Sequence, residues 1–187
     1  RAGADEVAFL DVSASSSGVR SMDKIIQDAT AEITVPVVVG GGINSVAEAR
    51  RVLDLGATRV SVNTAALNRP ELIDELVGEF GSSAVVVSLD VRSNDVEGEM
   101  RFEVTTHGGK RGTGVSALEW AREVQERGAG TIMLNSIAED GVQSGYDLEL
   151  LREIRGAVTV DLIASGGAGK VSDFVEAAQA GANAVLA

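Results

Sequence analysis

The sequence predicts an α/β fold: a (β/α)8 TIM barrel of two half-barrel repeats, lacking the first βα unit and the last helix. Three observations lead there. The stretch Thr34–Val62 reads as strand, glycine turn, helix and next strand, and the same design returns at Thr159–Ala187 without a gap, at an offset of 125 residues (159 minus 34). Gly41/Gly166, Gly42/Gly167, Gly56/Gly181 and Ala57/Ala182 are among the identical pairs, and the offset also carries Gly3-Ala4 onto Gly128-Ala129. A long-range self-match of this kind marks a fold built as two similar halves. Finally, strand-like and helical runs alternate throughout. Paired by the offset, the first strand matches the fifth, the second the sixth and the third the seventh. The fourth, Val85–Asp90, finds its mate only ahead of Arg1, which would complete eight strands. An open doubly wound sheet would explain the alternation but not the repeat. The chain, residues 1–187, therefore reads as one incomplete barrel domain.

The elements follow in order. Glu6–Asp11 is a nearly continuous apolar run, read as a buried parallel strand. Ser13–Arg20 is a loop, and Ser21 caps a helix over Met22–Ile33 with Ile25, Ile26, Ala29 and Ile33 on one face. Val35–Val39 is the second strand, with Gly40-Gly41-Gly42 as its exit. Ser45 and Glu48 form a capping box that starts a helix to Leu55. Arg59–Val62 is the third strand and Asn63–Leu67 its loop. Asn68 with Glu71 caps a helix to Phe80, with Pro70 in the first turn. After the fourth strand, the polar, glycine-rich Ser93–Gly112 breaks the rhythm. Its alternating Met100–Thr106 predicts a hairpin over the strand ends. Ser116 and Glu119 open a helix to Arg127, Thr131–Asn135 is the fifth strand, and Ser136–Tyr146 is a long loop. Asp147 caps a helix to Arg155. Val160–Ala164, a helix over Val171–Ala180, and Ala184–Ala187 complete the pattern.

Composition narrows the function. With 44% hydrophobic residues in 187, the chain can bury one sizeable core. No apolar run approaches the roughly 18 residues of a membrane helix, and nothing resembles a signal peptide. The absence of cysteine excludes disulfides and thiolate metal sites and suits a reducing cytoplasm. A net charge of −12 argues against nucleic acid or an anionic membrane as partner. An anionic substrate would have to be held by local backbone dipoles. Both ends, Arg1 and the apolar run at Ala187, read as cut.

In a barrel, function sits where strands end and βα loops begin. Asp11, Gly40–Gly42, Asn63-Thr64, Asp90, Asn135-Ser136, Asp140-Gly141 and Ser165–Gly167 fall there. The two glycine turns each precede a helix, whose N-terminal amides and dipole can bind phosphate. Tight turning alone is the plainer reading of one such glycine run, but two copies in register favour two phosphate sites. One would use Gly42, Asn63 and Thr64, the other Gly141 and Gly167, and together they imply a substrate with a phosphate at each end. Asp90, ending an apolar strand, is either a general acid/base or an acceptor for loop amides. Asp11 ends its strand similarly and reads as a supporting residue. His107, the sole histidine, falls in the hairpin and reads as exposed, and Trp120 as helix packing. Glu6 and Arg59 lie at the opposite, N-terminal ends of their strands, where they can pair. No metal constellation appears, and no cofactor is called for.

These residues resemble a known family. FLDVSAS (Phe9–Ser15), VGGGINS (Val39–Ser45), VSVNTAAL (Val60–Leu67), AVVVSLDV (Ala84–Val91), THGGKRGTG (Thr106–Gly114), DGVQSGYDLEL (Asp140–Leu150) and IASGGAGK (Ile163–Lys170) match, in order, the cyclase subunit of imidazole glycerol phosphate synthase from histidine biosynthesis. The resemblance implies a lyase that uses ammonia to convert a bis-phosphorylated formimino-aminoimidazole-carboxamide ribonucleotide. The products are imidazole glycerol phosphate and an aminoimidazole-carboxamide ribonucleotide. A glutaminase subunit docked at the barrel floor supplies the ammonia. By the resemblance Asp90 is one of two essential carboxylates; the other belongs to a first strand that this chain lacks, so the chain by itself should show little or no turnover. Gly42, Asn63 and Thr64 match the first phosphate site, and Gly141, Gly167 and Ala168 the second. Asp11, Asn135 and Ser136 match mouth-lining positions, and Glu6 and Arg59 a charged ring at the ammonia entrance. Thr131 departs from that ring, Asn135 stands where many members carry Thr, and Ala138 and Val142 depart from the family's loop pattern. A sister isomerase binding the same bis-phosphate, a cyclase-like enzyme of surface-sugar amidation, and a barrel fragment that merely folds or associates are the alternatives.

Overall fold

The computed structural model describes residues 3–11, 23–94, 101–137, 141 and 143–187. The expectations for the Ser13–Arg20 loop, the Ser21 cap, Ala138, Asp140 and Val142 lie outside those residues. Two compact units divide within the fourth strand, between Val86 and Val87.

The first unit centres on three parallel strands, β1 (Val7–Leu10), β2 (Val37–Gly40) and β3 (Arg59–Val62). β2 lies in the middle, with Val7 opposite Val37 and Val38 opposite Arg59. Flanked on both sides, β2 is wholly buried, which is why it reads as an unbroken valine run rather than an alternating one. Helices α1 (Asp23–Glu32), α2 (Val46–Asp54), α3 (Thr64–Asn68) and α4 (Glu71–Phe80) follow, with Ile26, Ala49, Val52, Leu72, Ile73 and Leu76 in the core. Two expectations change. Ile25 is 54% exposed, so the buried stripe of α1 is narrower than its isoleucines suggest. The predicted loop after β3 is instead the short helix α3, and Asn68 ends it rather than capping α4. Its Ala65-Ala66-Leu67 run favours helix, and Ala66 is fully buried. Pro70 then starts α4, its carbonyl accepting from the Ile73 amide at 3.0 Å.

The second unit holds β4 (Val85–Ser93), β5 (Phe102–Thr106), β6 (Arg111–Ser116), α5 (Ala117–Glu126), β7 (Thr131–Ser136), α6 (Leu148–Ala157), β8 (Asp161–Ser165), α7 (Val171–Gln179) and the short β9 (Ala184–Val185). The strand order is β4-β7-β8-β9, with β7, β8 and β9 parallel. The expected hairpin is β5–β6. It also pairs antiparallel with β4, from Asp90 opposite Thr105 to Ser93 opposite Phe102. That partner is why β4 runs three residues past Asp90 instead of ending there.

The duplication extends from sequence to contacts. At the 125-residue offset, α1 coincides with α6 and α2 with α7, residue for residue. The Glu48 carboxylate accepts from the Asn44 amide at 2.8 Å, and its counterpart Asp173 from the Gly169 amide at 2.9 Å. Thr58 Oγ1 accepts from the Val37 amide at 2.9 Å, and Asn183 Oδ1 from that of Leu162 at 3.0 Å. The side chains differ while the backbone sites they serve stay the same, so backbone geometry is what the two halves share.

Candidate active site

In the first unit, Gly40 pairs with Ser61, so the exits of β2 and β3 lie side by side, with Gly42 and Asn63 each two residues beyond. Gly41 and Gly42 both have positive φ, 106° and 68°. A Cβ on Gly41 would sit 2.4 Å from the Asp11 carbonyl oxygen, so this turn closes directly over the end of β1, with Asp11 half-buried beneath it. The chain then enters α2, where Ser45 Oγ accepts from the Glu48 amide at 3.3 Å. Thr64 is the first residue of α3. Gly42, Asn63 and Thr64 thus share one edge of this sheet. Glu6 and Arg59 share the other: Arg59 Nη1 reaches Glu6 Oε2 at 3.4 Å across the start of β2, and its Nε donates to the Ser83 carbonyl at 3.1 Å.

In the second unit Asp90 is 8% exposed. Its Oδ1 accepts from Asn135 Nδ2 at 3.1 Å, and its carbonyl accepts from the buried Thr105 hydroxyl at 3.0 Å. Ser165 Oγ approaches Asn135 Oδ1 at 3.5 Å. Three neighbouring strands, β4, β7 and β8, therefore bring a carboxylate, an amide and a hydroxyl into one row. Gly166 repeats the role of Gly41, for a Cβ there would meet the Ser136 carbonyl at 2.8 Å and Asn135 Oδ1 at 3.1 Å.

The turn after β8 is held from two sides. The Gly145 amide donates to the Gly167 carbonyl at 2.8 Å, and Gly169 packs on the Gln143 backbone closely enough to exclude any side chain. The buried Asp173 accepts from the Gly169 and Lys170 amides, each at 2.9 Å, and these two hydrogen bonds hold its carboxyl below the usual carboxylate range. Among the described residues, no hydrogen bond uses the amides of Gly167 or Ala168. Gly141 is exposed, with φ 77°. Tyr146, buried beside α7, donates to the Leu186 carbonyl at 2.9 Å; burial first, and then the Asp173 charge, raise its phenol.

Ser136 takes a different direction from its neighbour. Alternation along β7 turns it away from the Asn135 side. It is 3% exposed, its hydroxyl has no hydrogen-bond partner among the described residues, and it lines a cavity of about 10 Å³ with Tyr146, Asp147 and Leu150. His107 is exposed in the β5–β6 turn and Trp120 is buried in α5, as read from sequence. Ser165 was among the strand-end candidates read from sequence, whereas Asp173 was not singled out. The signal for Asp173 was available, because it is the offset partner of the capping residue Glu48.

Parallel strands joined through helices, with glycine turns at the strand exits and a buried carboxylate on a neighbouring strand, define the class: an enzyme-type (β/α)8 barrel chain. The model of the family described as histidine biosynthesis protein matches residues 1–187. Over 187 residues the chain is 52% identical to the imidazole glycerol phosphate synthase subunit HisF of Thermobifida fusca (strain YX), covering 99% of this chain and 73% of that protein. It is 51% identical to the protein of that name from Micrococcus luteus, covering 100% of this chain and 73% of the relative. To the one from Arthrobacter sp. (strain FB24) it is 50% identical, covering 99% and 73%. The chain belongs to this HisF family of histidine-biosynthesis proteins. Among the described residues no helix is long and apolar enough to cross a membrane.

Proposed function

We infer that the chain is the cyclase subunit of imidazole glycerol phosphate synthase. It uses ammonia to turn the bis-phosphorylated formimino-aminoimidazole-carboxamide ribonucleotide into imidazole glycerol phosphate and an aminoimidazole-carboxamide ribonucleotide. The observation that carries the reading is Asp90, a buried carboxylate within β4 where the hairpin begins to pair, with one oxygen held by an amide. A carboxylate so placed can move protons during ring closure and cleavage of the substrate. Gly42, Asn63 and Thr64 bind one phosphate. Gly141, Gly167 and Ala168 bind the other; amides at a glycine turn entering a helix suit an anion. Asp11, Asn135 and Ser136 line the mouth. Glu6 and Arg59, paired at the opposite strand ends, belong to the ammonia entrance. The partner subunit is a glutaminase that delivers the ammonia, and the complex works in the cytoplasm.

The test is steady-state turnover of the full-length protein with ammonium as nitrogen source. Wild type should consume the bis-phosphate, and Asp90→Asn should lower kcat by about 10²–10⁴-fold with little change in KM, the range for loss of a general acid/base. No turnover by the full-length wild type would overturn the reading.

A further inference from the structure

We propose that Asn135 is a positioning residue that sets the direction of the Asp90 carboxylate, acting through Asp90 rather than on the substrate. The inference rests on the reading of Asp90 as the acid/base and assigns a new role to its neighbour.

Three contacts support it. Asn135 Nδ2 donates to Asp90 Oδ1 at 3.1 Å. An ionised carboxylate only accepts hydrogen bonds, so the amide nitrogen must face it and the amide oxygen must face away. On that far side stand Ser165 Oγ, at 3.5 Å, and the turn at Gly166, where the approach is so close that a Cβ would lie 3.1 Å from Asn135 Oδ1. The amide is therefore bounded by β8 on one side and engaged with β4 on the other. It has no freedom to turn its nitrogen elsewhere without losing both contacts. The strand beneath Asp90 is fixed separately, by the Thr105 hydroxyl on its carbonyl. Backbone and side chain of Asp90 are thus held by different elements, β5 and β7. The second acts on the carboxylate itself, whose χ2 torsion is broad and soft and so is readily set by a hydrogen bond. A residue that fixes the geometry of an acid/base contributes to kcat rather than to ground-state binding.

The experiment compares Asn135→Leu, which keeps the volume but removes the amide, with Asn135→Thr, which keeps a hydrogen-bond donor. Both are made in the full-length protein and supplied with ammonium. Asn135→Leu should lower kcat about tenfold or more while the KM for the bis-phosphate stays within about threefold, and Asn135→Thr should recover most of that loss. Equal impairment of the two variants, a loss carried by KM, or a kcat within about twofold of wild type for Asn135→Leu would each overturn the proposal. Crystal structures of the unliganded wild type and Asn135→Leu give a readout independent of turnover. The Asp90 carboxylate should rotate in the variant, and an unchanged rotamer would refute the positioning role even if the assigned reaction proved wrong. An inactive wild type would refute the assigned reaction alone.

Discussion

At Gly41, two constraints meet in one residue. Its φ of 106° disfavours any side chain, and the Asp11 carbonyl stands where a Cβ would go. Gly78 is a useful contrast: it lies inside α4, with open space around its Cα. Gly41→Ala should therefore destabilise the protein by about 1–3 kcal/mol. Gly78→Ala should stabilise it by about 0.4–1 kcal/mol, because alanine restricts the unfolded chain without strain in the helix. Denaturant unfolding of the two variants checks this. A Gly41→Ala midpoint equal to wild type would mean that the turn over β1 relaxes freely.

Three helices in this chain are started by side chains that take up free helix amides. Ser45 on α2, Ser116 on α5 and Asp147 on α6 each accept from the amide three residues on. Helix α7 departs from this. Its N-cap is Lys170, and Asp173 reaches back to the Gly169 and Lys170 amides instead. Because those bonds favour the ionised form, the folded-state pKa of Asp173 lies below its unfolded value. The stabilisation is then present above the unfolded pKa and is lost as pH falls through the folded one. Asp173→Asn should lower stability at neutral pH, and the gap to wild type should close in acid. Unfolding midpoints at pH 7 and at about pH 3 decide it, and a gap of constant size would show that charge is not what matters. The same carboxylate shapes the turn that offers Gly167 and Ala168, so a structural cap supports the proposed phosphate site.

Over the whole of these 187 residues, the net charge of −12 sets a condition on the proposed binding of a doubly phosphorylated substrate. On that reading the long-range field of these residues repels it, and affinity comes from short-range amides at the two turns. Raising a non-coordinating salt from about 0.01 to 0.15 M shortens the screening length from about 30 to about 8 Å. KM for the bis-phosphate should then stay within about twofold or fall, since screening removes repulsion. A steep rise would point instead to a basic surface patch as the main binding feature.

Much of the architecture was legible because it rests on local chemistry and on repetition. The glycine turns, the Ser45, Ser116 and Asp147 caps, the hairpin after Ser93 and the two-fold repeat all follow from neighbouring residue types and from an offset visible in the letters. The path of β4 beyond Asp90 did not follow, since it depends on the hairpin that pairs with it, and helix α3 was missed although its Ala65-Ala66-Leu67 run favours helix. By itself, the sequence determined the duplicated βα order and placed Asn135 and the glycines toward strand exits, because backbone propensity and family motifs are short-range properties. Only the tertiary structure decided that Asn135 turns its amide to Asp90 and that Ser165 approaches that amide from β8. Side-chain direction and hydrogen-bond partners are set by which strands lie side by side, and no local stretch of sequence contains that information.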